Sequence, residues 1–249
     1  MKKILVLSGA GLSAESGNST FRDSNGLWEN YNVEDVASID GWYRNPELMI
    51  KFYNDRRREL EHCQPNDAHK IIAELEQQYE VVVVTQNVDN LHERGGSTHV
   101  IHLHGELTKA CSERGKRCVE DIGYRDIKYG EKAADGGILR PFIVWFGESV
   151  PLLEDAAAHV QTADILIIIG TSLNVYPAAG LLYYAPSNIP IYVIDPKEVQ
   201  PIRREVIFIK EKATDGMRQL RAKLMRELST WPRWQALLCT SYTSTTLRA

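Results

Sequence analysis

Four consecutive valines at positions 81–84 break off abruptly into the polar series Thr85, Gln86, Asn87 and Asp89. A β-branched run without alternation suits a strand covered on both faces, as in a parallel sheet packed between helices. The polar residues then fall at the carboxyl end of the strand, which in open α/β sheets faces the ligand crevice. The theme recurs. KILVLS runs into Gly9 and Gly11, ILIII into Gly170, Thr171 and Ser172, and IYVI into Asp195, with EVIFIK as a last strand. Strands alternating with helical patterns predict an α/β fold with a Rossmann-like, doubly wound parallel sheet.

At 249 residues the chain holds enough sequence for one large α/β unit or a main unit with a small insertion. A net charge of −4 gives no footprint for nucleic acid, and the basic run Arg56, Arg57 and Arg58 lies in a helical context where a solvated face is expected. No apolar stretch approaches membrane-spanning length, and the opening MKKILVLSGAG turns to glycine too early for a signal peptide. Cys63, Cys111, Cys118 and Cys239 form no disulfide-like framework, which suits a reducing cytoplasm. Cys111 and Cys118 are separated by six residues and have no second pair, so no metal is expected.

GAGLSAESG, directly after the first strand, satisfies G-x-G-x-x-A at Gly9, Gly11 and Ala14, a turn that lets backbone N–H groups approach a pyrophosphate. An ordinary dehydrogenase would follow with a strand ending in an acidic residue about 20 positions on. Here STFRDSNGLWENY follows instead, which counts against hydride transfer. Asn45 caps a helix over 46–62 with Pro46 at its first position. Tyr53 and Arg56 stand three apart on it, either as a tyrosine packed under a surface arginine or as a clamp for a carboxylate. A second helix spans about 66–78, and a helical excursion as a whole covers about 26–62. Residues 108–140 lose all sustained period and read as a small inserted module. A closing helix carries Met217, Leu220, Leu224 and Leu228, and residues 230–249 read as a tail. A short strand around 99–103 ends in His104 and Gly105, bringing an imidazole toward the amides of the valine strand.

Five separated segments in order, GAGLSAESG with Phe21 and Arg22, TQNVDNLH, HLHGEL, RPFIVWFGES and GTSLNVYPA, give the chain a specific resemblance. It resembles the sirtuin family of NAD-dependent protein-lysine deacylases, most of all the bacterial CobB-type desuccinylase and demalonylase class, over residues 1–229 as a catalytic domain.

The resemblance implies roles position by position. Gly9, Ala10, Gly11, Phe21, Arg22 and Trp28 would form the NAD loop, and Gln86, Asn87, Val88 and Asp89 the nicotinamide side, with Asp89 on the carboxamide. His104 would be the catalytic base, assisted by Asn87. Gly170, Thr171 and Ser172 would meet the phosphate or ribose end, and Val193, Ile194, Asp195 and Ala213 the adenosine half. Val144, Phe146, Gly147 and Glu148, facing Asn174, Val175 and Tyr176, would hold an extended acyl-lysine peptide as an added strand. Tyr53, Arg56 and Ala37 match the roomy pocket that takes acidic acyl groups, which reverses the bland reading of the Tyr53 and Arg56 pair.

Such an enzyme consumes NAD: the acyl oxygen attacks the sugar carbon as nicotinamide leaves, and a ribose hydroxyl deprotonated by His104 then takes over the acyl group. Products are free lysine, nicotinamide and O-acyl-ADP-ribose. The sequence departs from the family twice. Gly17, Asn18 and Ser19 stand where an apolar residue usually follows the glycine loop, and two cysteines stand where most sirtuins have four on zinc. Either residues 119–139 fold by packing alone or the module is loose; activity without zinc is expected, since the catalytic residues lie outside it. Two other readings stay open: an NAD hydrolase or mono-ADP-ribosyltransferase using the same pocket, and an NAD-sensing module that has no need of His104.

Overall fold

The computed structural model describes residues 1–17, 31–197, 199 and 205–230. Phe21, Arg22, Trp28, Asn18, Ser19 and the tail beyond residue 230 lie outside the described residues.

The valine run is β2, Glu80–Thr85, and it sits beside β1, Lys3–Ser8, at the middle of a six-stranded sheet. With β3 Val100–His102, β7 Ile165–Ile169, β8 Ile191–Ile194 and β9 Ile207–Ile209, the order is β3-β2-β1-β7-β8-β9, and every pairing is parallel. Both faces are apolar because both are covered. Leu5, Leu7, Val82, Val84, Leu166 and Ile168 pack toward helix Leu153–Gln161 and the 3-10 turns of Ala178–Tyr184. The alternate residues Ile4, Val6, Val81, Val83, Ile165 and Ile167 meet helices Asp67–Glu74 and Ala213–Thr230. Alternate side chains of a strand point to opposite faces, so a wholly apolar strand requires both layers.

A third core lies off the sheet. Helix Pro46–His62, opened by Asn45 whose side chain accepts from the Leu48 N–H, buries Met49, Ile50, Phe52, Tyr53 and Leu60. These pack on a small antiparallel sheet, order β5-β4-β6, made of β4 Gly105–Ser112, β5 Glu120–Asp121 and β6 Leu139–Ile143. Ile122, Ile127, Ala133 and Leu139 are buried there, so the segment without sequence period is held by apolar packing.

The same helix overturns the expectation of a solvated basic face. Arg57 is fully buried, its Nε donating to the Leu107 carbonyl at 2.6 Å and its Nη1 to Asn54 Oδ1 at 2.7 Å. Helical periodicity sends positions 53, 57 and 60 to one side, so the middle arginine of the run falls on the covered face and crosslinks helix to module.

Candidate active site

Register brings the strand ends to one level. Ser8 pairs with Thr85 and with Ile169, and Ile169 pairs with Ile194. The next residues, Gly9, Gln86, Gly170 and Asp195, therefore leave the sheet along one rim, on either side of the point where strand order reverses. That is where an open α/β sheet forms its crevice. A cavity of about 790 Å³ opens there.

Its glycine wall is built by close backbone contact. Gly9 N donates to the Ile169 carbonyl at 3.0 Å and Gly11 N to that of Gly170 at 2.9 Å. A Cβ on Gly9 would lie 2.7 Å from both the Gly170 oxygen and the Thr171 side chain. Gly170 holds φ +61°, a left-handed conformation that favours glycine. Gly9, Ala10, Gly11, Gly170, Thr171, Ser172, Ile194, Asp195 and Ala213 all line the cavity. Close backbone packing without side chains in the way leaves room at this wall for the pyrophosphate of a dinucleotide.

Beside this wall, Gln86, Asn87, Val88 and His104 also line the cavity. Asn87 is fixed by bonds from its amide to the Gly9 carbonyl at 3.1 Å and Ser13 Oγ at 3.2 Å, and Gln86 donates to Thr171 Oγ1 at 3.1 Å. His104 Nδ1 lies 3.1 Å from the Gln86 carbonyl. A carbonyl only accepts, so Nδ1 carries the proton and Nε2 keeps its lone pair. Burial lowers the His104 pKa below the ordinary imidazole value, partly offset by that hydrogen bond, which keeps the ring neutral. Gly105 follows with φ +83°, and a Cβ there would run into the Phe142 carbonyl. The turn that releases His104 from the strand thus depends on the glycine after it.

His102 belongs elsewhere. It faces the Asn87 carbonyl at 3.2 Å and Glu93 Oε1 at 2.7 Å, and does not line the cavity. Burial lowers its pKa, but the Glu93 contacts outweigh it and the net shift is upward. Asp89 is buried behind the wall, accepting from Ser13 Oγ at 2.9 Å and Leu91 N at 3.1 Å, and Val193 is buried within β8; neither lines the cavity.

Ala37, Tyr53, Val144, Phe146, Gly147 and Glu148 line the cavity as well, as do Asn174, Val175 and Tyr176. Phe146 exchanges backbone hydrogen bonds with Ala37 and Ile39, both at 2.9 Å, tying this edge to the helical excursion. Tyr53 is buried, and its hydroxyl accepts from Trp145 Nε1 at 2.9 Å. Burial raises the Tyr53 pKa, so the phenol is neutral. Arg56 does not line the cavity: its Nε lies 3.2 Å from Glu59 Oε2, with the guanidinium over the Phe52 ring. Glu148 directs its carboxylate to Arg140, Lys116 and the Trp145 N–H. Trp145, Glu15, Val150, Lys197 and Lys212 also line the cavity and were not anticipated. Trp145 and Glu15 had a visible signal, lying within RPFIVWFGES and GAGLSAESG.

The small module does not fit a four-thiolate zinc cage. Its two cysteines are half the thiolates such a cage needs and are unlike in burial, Cys118 exposed and Cys111 buried. Among the described residues no three His, Cys, Asp or Glu side chains gather as a metal site.

Residues 9–177 match the Sir2 family. An NAD-dependent protein deacylase of Bacteroides thetaiotaomicron is 52% identical over 231 residues, covering 90% of this chain and 99% of the relative. One of the same description from Helicobacter pylori is 50% identical over 233 residues, covering 92% and 100%. A solved Sir2 homologue in complex with ADP-ribose matches with a TM-score of 0.85 at 36% identity, over 92% of this chain and 94% of that one. With a family match spanning most of the sequence and relatives covered nearly end to end, the chain belongs to the Sir2 family.

Proposed function

We propose that the chain is an NAD-dependent protein-lysine deacylase that consumes NAD and removes succinyl and malonyl groups, with deacetylation as a secondary activity. One observation carries the reading: a single cavity joins the glycine wall, His104 with Nε2 unprotonated, and the edge at residues 144–148 and 174–176. The names of the relatives support NAD-dependent protein deacylation, and the acyl preference rests on Tyr53, Arg56 and Ala37.

When bound, NAD supplies a cationic leaving group, nicotinamide, and the sugar carbon that receives the acyl oxygen. The chain's own share is placement, water exclusion and one proton transfer. Gly9, Gly11 and Gly170, whose own N–H groups are engaged within the fold, leave room for the phosphates beside Thr171, and Gln86 and Asn87 orient the nicotinamide half. Ile143, Trp145 and Val150 form an apolar wall that excludes water. His104 Nε2 accepts a proton from a sugar hydroxyl, and the Gln86 carbonyl stabilises the resulting imidazolium through Nδ1. Phe146 has both backbone groups engaged with Ala37 and Ile39, so an added peptide strand draws on its neighbours and on Asn174 to Tyr176.

Tyr53 and Ala37 line the acyl end of the cavity, and Arg56 stands one helical turn beyond Tyr53. An acidic acyl group would recruit the Arg56 guanidinium from Glu59, exchanging one carboxylate for another. The same reading takes residues 1–229 as the catalytic domain, 230–249 as a tail, and the cytoplasm as the location. Free thiols at Cys63, Cys111 and Cys118 support a reducing compartment, and no described helix is long and apolar enough to cross a membrane.

The test is mass spectrometry of the products from NAD and a succinyl-lysine peptide. O-succinyl-ADP-ribose formed in step with free lysine is expected. Nicotinamide release without deacylated peptide would replace this reading with NAD hydrolysis.

A further inference from the structure

The small module meets the cavity wall through one cluster of charges. Lys116, in the turn after β4, brings Nζ to within 3.1 Å of Glu148 Oε2, and both side chains are largely covered, at 16% and 14% exposure. Glu148 also accepts from Arg140, on β6, at 2.9 and 3.1 Å, and from the Trp145 main-chain N–H at 2.8 Å. The Arg140 guanidinium lies 3.4 Å from the centre of the Trp145 ring. Trp145 Nε1 in turn holds the Tyr53 hydroxyl. A continuous path thus runs from the module turn to a side chain lining the cavity.

The turn itself is shaped to deliver the lysine. Gly115, Lys116 and Cys118 have φ of +77°, +56° and +53°, and two of these three are not glycine. Left-handed backbone at a non-glycine residue persists only where surrounding contacts hold it. Here the Ser112 N–H donates to the Arg117 carbonyl at 2.7 Å and the Lys116 N–H to that of Ser112 at 3.1 Å, while the Lys116 ammonium is captured by Glu148. The turn lies beside Cys111, where a zinc cage does not fit.

We infer that the Lys116, Glu148 and Arg140 cluster fastens the module to the acyl-lysine wall in place of a metal, and that Lys116 is a positioning residue for Trp145 and Tyr53. The cluster is covered, so losing Lys116 removes one of the two cations that hold the Glu148 carboxylate and leaves Arg140 to hold it alone. Glu148 then draws Arg140 and the 145 main chain into new positions, and the Tyr53 end of the cavity loses its shape. The dinucleotide side is built from other strands and is unaffected. The kinetic part of this inference rests on the deacylase reading; the structural part does not.

The test compares wild type, Lys116→Met and Lys116→Arg by steady-state kinetics, with thermal melting and metal content measured alongside. Lys116→Met is expected to raise KM for the acyl-lysine peptide about five- to tenfold while KM for NAD stays within about twofold, and Lys116→Arg to restore most of the difference. Wild type is expected to contain substoichiometric zinc and to melt at the same temperature with and without a chelator. Equal peptide KM in all three proteins would overturn the positioning role. So would a loss of folding in Lys116→Met that Lys116→Arg does not repair, whereas repair would support it. Stoichiometric zinc whose removal lowers the melting temperature would overturn the fastening role. Should no protein show NAD-dependent deacylation, the functional reading fails, and melting and metal content still decide whether the cluster fastens the module.

Discussion

The Nδ1 of His104 is directed at the main-chain carbonyl of Gln86, 3.1 Å away, so the strand that supplies the cavity's amides also sets the tautomer of its imidazole. The proton-accepting nitrogen is thereby fixed by backbone geometry. His104→Ala should lower turnover by roughly 10²- to 10⁴-fold. NAD affinity, measured by calorimetry, should change little. An alanine variant that retains turnover would remove the imidazole from the chemistry.

The acid limb of the pH profile follows from the same contact. Burial lowers the His104 pKa below 6.5. A base works deprotonated, so activity is retained on acidification until pH falls through that lowered value. In kcat/KM against pH, the acid limb should have its midpoint below 6.5, and His104→Ala should lack it. A midpoint above 6.5 would mean that another group controls the limb.

Arg56 offers a separate handle on acyl choice. Replacing it in Arg56→Met removes the only side chain of the Tyr53 and Arg56 pair that can neutralise a carboxylate. Succinyl and malonyl removal should fall by roughly 10- to 100-fold, in line with losing a charge-assisted bond, with deacetylation nearly unchanged. Parallel loss of all three activities would assign Arg56 to folding.

Much of this site was legible because it sits at strand ends. Gly9, Gln86, Asn87, Gly170 and Thr171 each follow an apolar run, and parallel register alone brings such positions together. His104 was legible by its place before Gly105, whose left-handed φ frees the imidazole from the strand. What was hidden depends on which face a helix buries and which partner a charge finds. Arg57 looks identical to Arg56 and Arg58 in a run of three, yet it alone is sealed against the module. Glu148 reads as a peptide-facing acid, but its carboxylate is engaged by Arg140 at the other end of its own segment and by Lys116 from the module turn, which no local pattern predicts. Asp89 lies in a motif with its cavity-lining neighbours, yet its side chain turns inward to Ser13 and the Leu91 N–H.

The buried arginine makes a stability prediction. Arg57→Ala strips partners from the Leu107 carbonyl and Asn54 and should cost roughly 3 kcal/mol. In a chain of this size that lowers the melting temperature by roughly 10 °C. Arg58→Ala, which removes exposed pairs with Asp55 and Asp126, should cost under about 1 kcal/mol. Similar losses in both variants would contradict the assigned burial.

His69 adds a pH-dependent term. Its pKa is lowered to about 4 by burial, and it stays neutral in the fold with Nδ1 3.1 Å from Asn66 Oδ1. Between pH 6.5 and about 4 the unfolded chain binds a proton there that the folded chain refuses, so stability falls as pH falls through that window. The full effect is roughly 3 kcal/mol. Urea denaturation across the window should show a shallower acid loss in His69→Gln than in wild type. Identical slopes would assign the loss to other groups.

The most direct test of the account measures NAD-dependent release of free lysine from matched acetyl, malonyl and succinyl peptides, with and without a zinc chelator. Chelator-insensitive turnover is expected, with kcat/KM higher for the succinyl and malonyl peptides than for the acetyl peptide. Absence of NAD-dependent lysine release from all three would contradict the assignment of this cavity to protein deacylation.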